Sequence, residues 1–190
     1  NGDHILAICA IHAMKNKRLP NATVVATQMS NLGLELALAK EKIKLVRTDV
    51  GDKNVVEEMR KSGHILGGEQ SGHIIFLEHS TTGDGCVAAL SVLSIMKKEG
   101  KRLSALSDIV VDVPQVIINT KVKDKPKLED IPGYTQLVEE VERQLQGQGR
   151  AFIRYSGTEP VVRVLIEGTD ERTIGQQAEK IANFLQSKLS

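Results

Sequence analysis

The sequence predicts an α/β domain, a mixed sheet with helices on its faces, followed by a small α+β domain. Strand and helix patterns alternate from residue 1 to residue 112, and the order strand, helix, strand, strand, helix follows from residue 113. The pair Val113-Pro114 and the charged, proline-containing segment 123–132 mark the change of rhythm. We therefore predict one domain over 1–112 and a second over 113–190.

The elements of the first domain follow from apolar periodicity and from residues that begin or end helices. The predicted helices are 4–14, 32–42, 53–62 and 85–98, and the predicted strands are 22–27, 43–47, 65–66 and 73–78. Asp52 and Asp84 are the predicted N-caps, and Gly63 and Gly100 are the predicted ends of the same two helices. In the last helix, we expect Val87, Leu90, Leu93 and Met96 or nearby residues to face the core.

The second domain has fewer and longer elements. Its predicted strands are 115–122, 151–155 and 161–167. Apolar residues at helical spacing predict two helices, one through Tyr134, Leu137, Val138, Val141 and Leu145 and one through Ile174, Ala178, Ile181 and Leu185. Gly147 and Gly149 interrupt the chain after the first helix, and Thr169 or Asp170 caps the last.

The composition excludes several function classes. Hydrophobic residues make up 41% of the chain and charged residues 26%, as in ordinary soluble domains. A net charge of +1 and 3% aromatic residues leave neither a basic surface nor stacking platforms for nucleic acid. The apolar runs are too short to span a membrane, so we expect a cytoplasmic protein. Cys9 and Cys86 lie in apolar stretches without metal-ligand spacing, and we expect two buried free thiols.

A candidate anion site lies between two predicted strands. The segment RYSGTEP begins at Arg154, and Arg163 follows in the next strand. Gly157 lets the backbone approach a ligand, Ser156 and Thr158 offer donors, and the two arginines can make charge-assisted contacts to phosphate oxygens. A polar β-turn with two solvated arginines explains the same residues, and both interpretations stay open.

A second candidate site is the segment GGEQSGH, from Gly67 to His73, which also joins two predicted strands. Glu69 can accept hydrogen bonds from two neighbouring sugar hydroxyls, Ser71 can donate or accept one, and His73 can move a proton near neutral pH. A flexible hairpin whose histidine begins a strand is the alternative interpretation.

A third segment, TDVGDK, forms the strand-to-helix turn that ends at Lys53. Helix amides and Lys53 can meet an anionic ligand, although an N-cap role for Asp52 accounts for the turn without any ligand. The remaining histidines show no spacing for a metal or a catalytic triad and are interpreted as helix, turn or surface residues: His4, His12, His64 and His79.

Together, GGEQSGH, VGDK and RYSGTEPVVRV resemble the α-D-phosphohexomutase superfamily over nearly the whole chain. The opening NGDHILAI is similar to the segment after the family's metal-binding loop, and the chain lacks an initial methionine. We therefore expect the third and fourth domains of a four-domain enzyme, the fourth TBP-like. Two segments resemble the phosphoglucosamine mutase branch more than the phosphomannomutase/phosphoglucomutase branch. One is the loop with Gln70 between Glu69 and Ser71, and the other is TQMSNLGLE, which begins at Thr27.

The resemblance implies that the full-length enzyme interconverts glucosamine 6-phosphate and glucosamine 1-phosphate. The implied chemistry uses a phosphoserine enzyme, a hexosamine 1,6-bisphosphate intermediate and Mg²⁺. The phosphoserine and the metal ligands belong to domains 1 and 2, so no residue of this chain is assigned to metal, and the chain alone is expected to be inactive. The resemblance is also compatible with a homodimer of the full-length enzyme, and it implies a phosphosugar ligand with neither nucleic acid nor membrane as partner.

The resemblance also assigns residues to roles. His73 and Lys53 line the reaction site, and the residues that bind substrate are Gly51, Asp52, Glu69 and Ser71. The phosphate that does not react is bound by Arg154, Ser156, Gly157, Thr158 and Arg163. Tyr155 stands where the branch usually has lysine, so we expect one cation fewer at this phosphate site.

Two alternatives remain at this stage. One is a fragment of a phosphomannomutase/phosphoglucomutase, which substrate preference separates from the first assignment. The other is a stand-alone phosphosugar-binding module without catalysis.

Overall fold

The two sequence rhythms correspond to two units in the computed structural model, which describes residues 1–145 and 149–189. The first unit is Asn1–Asp112, and the second begins at Val113. Among the described residues, every hydrophobic cluster lies within one unit. Each unit therefore has a core of its own.

The first unit is a mixed sheet with helices on its faces, which confirms the predicted fold class. Its strands are β1 (Thr23–Thr27), β2 (Lys44–Thr48), β3 (Leu66–Gly68) and β4 (Ile74–Phe76). Its helices are α1 (Gly2–Lys15), α2 (Leu32–Lys40), α3 (Asp52–Ser62), α4 (Gly85–Glu99) and α5 (Leu103–Ser107). The strand order is β2-β1-β3-β4; β1 pairs in parallel with β2 and β3, and β4 is antiparallel to β3.

The central strand β1 is buried along its whole length because both faces of the sheet are covered. Val24 and Ala26 belong to one apolar cluster, which includes residues of α1 and α2. Val25 points to the opposite face and joins a second cluster with Val55 and Met59 of α3. This alternation follows from the two-residue period of a strand.

Helix boundaries follow the predicted caps with one correction. The Asp84 side chain accepts a hydrogen bond from the first turn of α4, and glycines in the left-handed region end α3 and α4, all as predicted. Asn31, which was not predicted as a cap, accepts a hydrogen bond from the first turn of α2. Asp52 is not the N-cap of α3. Gly51 holds that position with φ +124°, and the Asp52 carboxylate instead accepts from the Lys53 amide at 2.8 Å within the first turn.

The face of helix α4 that packs against the core is not the face that contains Leu90 and Leu93, which were predicted to lie there. Ala88, Val92 and Ile95 are buried, whereas Leu90 and Leu93 are 67% and 57% exposed. The residues next to the predicted ones therefore form the packed stripe. Cys9 is a buried free thiol as expected, but the expectation for Cys86 is wrong, because it lies on the exposed first turn of α4. The short helix α5 was not predicted.

The second unit is the predicted small α+β domain. Its elements are β5 (Gln115–Lys121), α6 (Tyr134–Gln144), β6 (Gly149–Tyr155), β7 (Val161–Gly168) and α7 (Glu171–Leu189). The antiparallel sheet has the order β5-β7-β6 among the described residues, and both helices contribute to one core cluster. Asp170 precedes α7 and accepts a hydrogen bond from the Thr173 amide at 3.1 Å, as expected for a cap. The predicted chain break at Gly147 lies outside the described residues.

Across the part of the chain that the structure describes, no helix is both long enough and apolar enough to cross a membrane. Within the same residues, no group of three or more histidine, cysteine, aspartate or glutamate side chains is arranged to hold a metal ion.

Candidate functional site

The first cluster of candidate residues lies at one edge of the sheet in the first unit. Because β1, β2 and β3 are parallel, the segments that follow them meet at their carboxyl ends. The segment after β2 contains Gly51, and the segment after β3 contains Glu69. The Gly51 amide donates to Glu69 Oε1 at 3.0 Å, so the fold joins two of the predicted segments directly.

We call residues 69–73 the polyol loop. Its three polar side chains lie within bonding distance of one another. Ser71 Oγ is 3.4 Å from Glu69 Oε2 and 3.3 Å from His73 Nδ1. The distance between His73 Nδ1 and Glu69 Oε2 is 3.5 Å. The Glu69 side chain is 15% exposed and that of His73 61%. A shielded carboxylate therefore lies next to an accessible imidazole, an arrangement that can accept sugar hydroxyls and exchange a proton.

The glycines before this loop pack tightly, and this corrects their predicted place in a flexible turn. Gly67 and Gly68 belong to β3 and pair with Ile75 and Ile74. A β-carbon on Gly67 would lie 2.8 Å from Val25 O, and one on Gly68 would lie 2.4 Å from His73 O. The polyol loop is therefore shorter and more tightly held than GGEQSGH indicates.

Lys53 is exposed and lies beside a neighbouring groove. This groove of about 620 Å³ is lined by Asp52, Lys53, Val56, Glu57, Arg60, Thr81 and Thr82. Thr81 and Thr82 belong to the segment before α4, and the next residue of that segment, Gly83, lies close to His73. A β-carbon placed on Gly83 would be 3.4 Å from His73 Cβ. Sequence reasoning missed Thr81 and Thr82, since a polar turn before a helix carries no specific signal.

The second cluster lies in the second unit, at the turn between β6 and β7. We call residues 156–160 the phosphate loop. Arg154 stands directly opposite Arg163 in the antiparallel register, so the two side chains share one face of the sheet. Burial, and then the positive charge of Arg163, lowers the pKa of the Arg154 guanidinium. Two like charges in this position repel each other, and an anion between them removes that repulsion.

The hydrogen bonds of these arginines are incomplete. Arg163 Nη2 donates to Glu159 Oε2 at 2.8 Å, whereas Arg154 Nη1 reaches only the Tyr155 carbonyl at 3.4 Å. Among the described residues, the buried Nε atoms of both arginines have no hydrogen-bond partner. Buried donors without partners are uncommon in folded proteins, so these two Nε atoms are candidates for contact with a water, an ion or a ligand.

The tip of the phosphate loop is exposed and its base is fixed. Ser156 is buried, its amide donates to Val161 O at 2.9 Å, and its Oγ accepts from the Glu159 amide at 3.3 Å. Gly157 and Thr158 are exposed. Gly157 has no positive φ, and no described atom lies within 4 Å of the position of a β-carbon there. Neither backbone conformation nor packing therefore requires glycine at position 157.

Lys125 supports this loop and was not predicted as a site residue. Its Nζ donates to Ser156 O at 2.7 Å and to Glu159 O at 2.9 Å. It comes from the charged, proline-containing segment 123–132 after β5, where no helix or strand and no site residue was predicted. Its role depends on a contact across more than thirty residues, which no local pattern reveals.

Tyr155 lies on the other face of the sheet from the arginines. It pairs with the buried Val162 and packs against the apolar cluster of the second unit. Successive strand residues alternate between faces, so position 155 does not project beside Arg154 and Arg163. The expectation of a phosphate site weakened by one missing cation is therefore not supported by this geometry.

Comparison with known proteins agrees with the fold of both units. Residues 1–113 match the family model described as phosphoglucomutase/phosphomannomutase, alpha/beta/alpha domain III, and residues 117–184 match the C-terminal domain of the same family. The chain belongs to the phosphoglucomutase/phosphomannomutase family.

Within this family, the chain is similar to phosphoglucosamine mutases and N-acetylphosphoglucosamine mutases. The chain is 58% identical over 190 residues to phosphoglucosamine mutase of Bdellovibrio bacteriovorus, a match that covers all of this chain and 42% of that protein. A crystal structure of Aspergillus fumigatus N-acetylphosphoglucosamine mutase in complex with GlcNAc-6P and magnesium aligns with TM-score 0.79 and 22% identity over 100% of this chain and 44% of that one. The same enzyme in complex with glucose 1,6-bisphosphate aligns with TM-score 0.77 and 22% identity, with the same coverage. The chain thus spans about two fifths of the length of the proteins it matches.

Proposed function

We propose that this chain provides sugar and phosphate recognition in a phosphoglucosamine mutase. The complete protein interconverts glucosamine 6-phosphate and glucosamine 1-phosphate through a phosphoserine enzyme and a hexosamine 1,6-bisphosphate intermediate. The first unit is the sugar-binding domain, and the second is the phosphate-binding domain.

One observation carries the proposal: the opposed guanidiniums of Arg154 and Arg163 beside a loop with an exposed glycine tip. A doubly charged phosphate offsets the repulsion between the arginines and gives their buried donors an acceptor. Thr158 and the backbone at Gly157 can add further donors. A site of this kind binds the phosphate that does not react and positions the other end of the sugar for chemistry.

The polyol loop supplies the second part of the recognition. Glu69 accepts from sugar hydroxyls, Ser71 contributes one more hydrogen bond, and the Gly51–Asp52 turn holds Glu69 in place from the end of β2. His73 is accessible and close to a carboxylate, so its imidazole can move a proton at the hydroxyl that gains or loses the phosphoryl group. Lys53, in the adjoining groove, balances negative charge near this position.

The reactive serine and Mg²⁺ are assigned to domains 1 and 2 of the complete protein. Magnesium and a sugar bisphosphate occur in complexes of the Aspergillus fumigatus enzyme, which supports their use here. The complete protein is proposed to be cytoplasmic and homodimeric.

The substrate preference of the full-length protein tests this function. Glucosamine phosphate should be converted with a kcat/KM at least ten times that for mannose or glucose phosphate. The reverse ranking favours a phosphomannomutase/phosphoglucomutase, the alternative that the family description keeps open. No turnover of any hexose phosphate by the full-length protein would favour a binding module.

The chain by itself provides a second test. We expect the purified 190-residue chain to bind sugar phosphate without converting it, because the proposal assigns the phosphorylated serine to domain 1 of the complete protein. Turnover by a preparation free of full-length protein would contradict the assignment of the nucleophile to another domain.

A further inference from the structure

The first turn of α1 lies against the polyol loop. The Gly2 amide donates to Gln70 O at 2.9 Å. A β-carbon on Gly2 would lie 2.0 Å from Glu69 O, 2.9 Å from Gln70 O and 3.0 Å from the Gly72 amide nitrogen. Any side chain at position 2 therefore displaces the backbone of the loop, since these atoms belong to no flexible side chain.

The same turn of α1 is fixed on its other side by a buried carboxylate. Asp3 is fully buried, and its Oδ2 accepts from the Asn31 amide at 2.8 Å in the segment after β1. Burial raises the pKa of the Asp3 carboxyl, while the Asn31 amide, the Ser30 side chain and the charge of Arg47 act in the opposite direction. Because a buried polar group is costly unless it is hydrogen-bonded, this bond holds the first turn of α1 against the segment after β1.

These contacts join the three segments at the carboxyl ends of the parallel strands. Asn31, which follows β1, donates its amide to the Asp3 carboxylate. Gly2, the residue before Asp3, donates its amide to the carbonyl of Gln70, which follows β3. Glu69, next to Gln70, accepts from Gly51 after β2. The hydrogen-bonded path therefore runs from the end of β1 to the proposed hydroxyl acceptor and on to the end of β2, with the first turn of α1 as its central part.

We propose that Gly2 and Asp3 are positioning residues for substrate recognition: they set the height and orientation of the polyol loop, so that Glu69 and Ser71 meet the sugar hydroxyls. This inference rests on the proposed function, because it assigns a purpose to the geometry of that site. Neither residue is expected to touch the substrate.

Gly85 offers a matched control for Gly2. Each is the first residue of a helix in the first unit, but no atom of the described residues lies within 4 Å of a β-carbon placed on Gly85. Gly2→Ala and Gly85→Ala therefore make the same chemical change in a crowded and in an open position. Asp3→Asn and Asp3→Ala form a second pair, since asparagine keeps an oxygen that can accept from the Asn31 amide and alanine does not.

The experiment uses the full-length protein that carries this chain and begins without ligand. Hydrogen-exchange mass spectrometry should show faster exchange of peptides that contain the polyol loop in Gly2→Ala and Asp3→Ala, and unchanged exchange in Gly85→Ala. Exchange at the phosphate loop should stay unchanged in all four variants. Unchanged exchange of the polyol loop in both Gly2→Ala and Asp3→Ala would overturn the proposal.

Kinetics then test positioning separately from stability, at a temperature well below the unfolding midpoint of every variant. Gly2→Ala and Asp3→Ala should lower kcat/KM for glucosamine phosphate about tenfold or more, since small displacements of positioning groups have large effects on rate. Gly85→Ala and Asp3→Asn should stay within about twofold of wild type. The inhibition constant for inorganic phosphate, which has no sugar hydroxyls, should not change.

The possible results separate the two proposals. If the wild-type protein does not convert glucosamine phosphate, the proposed function fails, and the exchange measurement alone decides whether Gly2 and Asp3 position the loop. If the wild type is active and Gly2→Ala and Asp3→Ala keep its kcat/KM, the positioning role is wrong and the function stands. Should Gly2→Ala not fold, the Asp3→Ala and Asp3→Asn pair gives the same decision.

Discussion

The polyol loop and the arginines beside the phosphate loop differ in how completely their polar side chains are paired. The polar side chains of the polyol loop bond to one another and to the Gly51 amide, and the glycines before it are packed against backbone atoms. At the phosphate loop, Arg154 and Arg163 repel each other, and neither conformation nor packing requires the glycine at position 157.

This difference shows two ways to build a binding site. A preformed set of hydrogen bonds fixes the direction of acceptors, which suits the discrimination of neutral hydroxyls. Of the two like charges at the phosphate loop, Arg163 bonds to Glu159 and Arg154 only to a backbone carbonyl, so a bound anion is favoured, which suits phosphate. Substitutions in the polyol loop should therefore affect geometry and turnover, and substitutions at the phosphate loop should affect affinity.

The largest expected effect comes from Glu69. Glu69→Ala in the full-length protein should lower kcat/KM for glucosamine phosphate by about 10²–10³, as for the loss of two charge-assisted hydrogen bonds of about 1.5–2 kcal/mol each. Glu69→Gln keeps an acceptor for the Gly51 amide and should retain more activity. Steady-state kinetics checks both variants, and near wild-type values for Glu69→Ala would show that the loop is only a turn.

Arg154 should show the next largest effect, on binding. Arg154→Ala should weaken the binding of inorganic phosphate or sugar phosphate by about 1.5–3 kcal/mol, and Arg154→Lys should restore only part of it. NMR titration of the chain should move the amides of Ser156, Gly157 and Thr158 with sugar phosphate and leave them unmoved with the neutral sugar. Arg172→Ala, an exposed charge removal in the same unit, is the control. Equal binding by both variants would exclude the phosphate site.

A pair of glycine substitutions compares the strand that leads into the polyol loop with the phosphate loop. Gly67→Ala should lower the free energy of unfolding by about 1–3 kcal/mol, because its β-carbon would lie 2.6 Å from Met59 Sδ and 2.8 Å from Val25 O. Gly157→Ala should change stability by less than about 0.5 kcal/mol and should still weaken phosphate binding. Chemical denaturation and the phosphate titration provide the two measurements. A large loss of stability in Gly157→Ala would mean that the loop, and not a ligand, requires glycine there.

The smallest expected effect comes from Lys125. Lys125→Met should destabilise the phosphate loop by about 0.5–1.5 kcal/mol, the net value of typical hydrogen bonds, because Nζ bonds the carbonyls of Ser156 and Glu159. Hydrogen exchange at residues 156–159 should accelerate and phosphate affinity should fall a few-fold. Lys127→Met, another exposed lysine of the same segment, should do neither. Identical exchange in the two variants would remove Lys125 from the site.

Local sequence determined the fold class and the chemical character of both loops. Strand and helix periods, the cap Asp84, and the glycines that end α3 and α4 act over a few residues, so their pattern is visible without a structure. The RYSGTEPVVRV segment likewise placed Arg154 and Arg163 in adjacent strands of one hairpin, a short-range arrangement.

The tertiary structure decided what depends on distant contacts. Helix α4 has apolar residues on several sides, so only packing determined that Ala88, Val92 and Ile95 face the core while Leu90, Leu93 and Cys86 do not. The bonds that join Gly51 to Glu69, Gly2 to Gln70 and Lys125 to Ser156 link segments 18, 68 and 31 residues apart. Such contacts form only when strand order brings the segments to one edge, and the residue pattern around each partner carries no sign of the other.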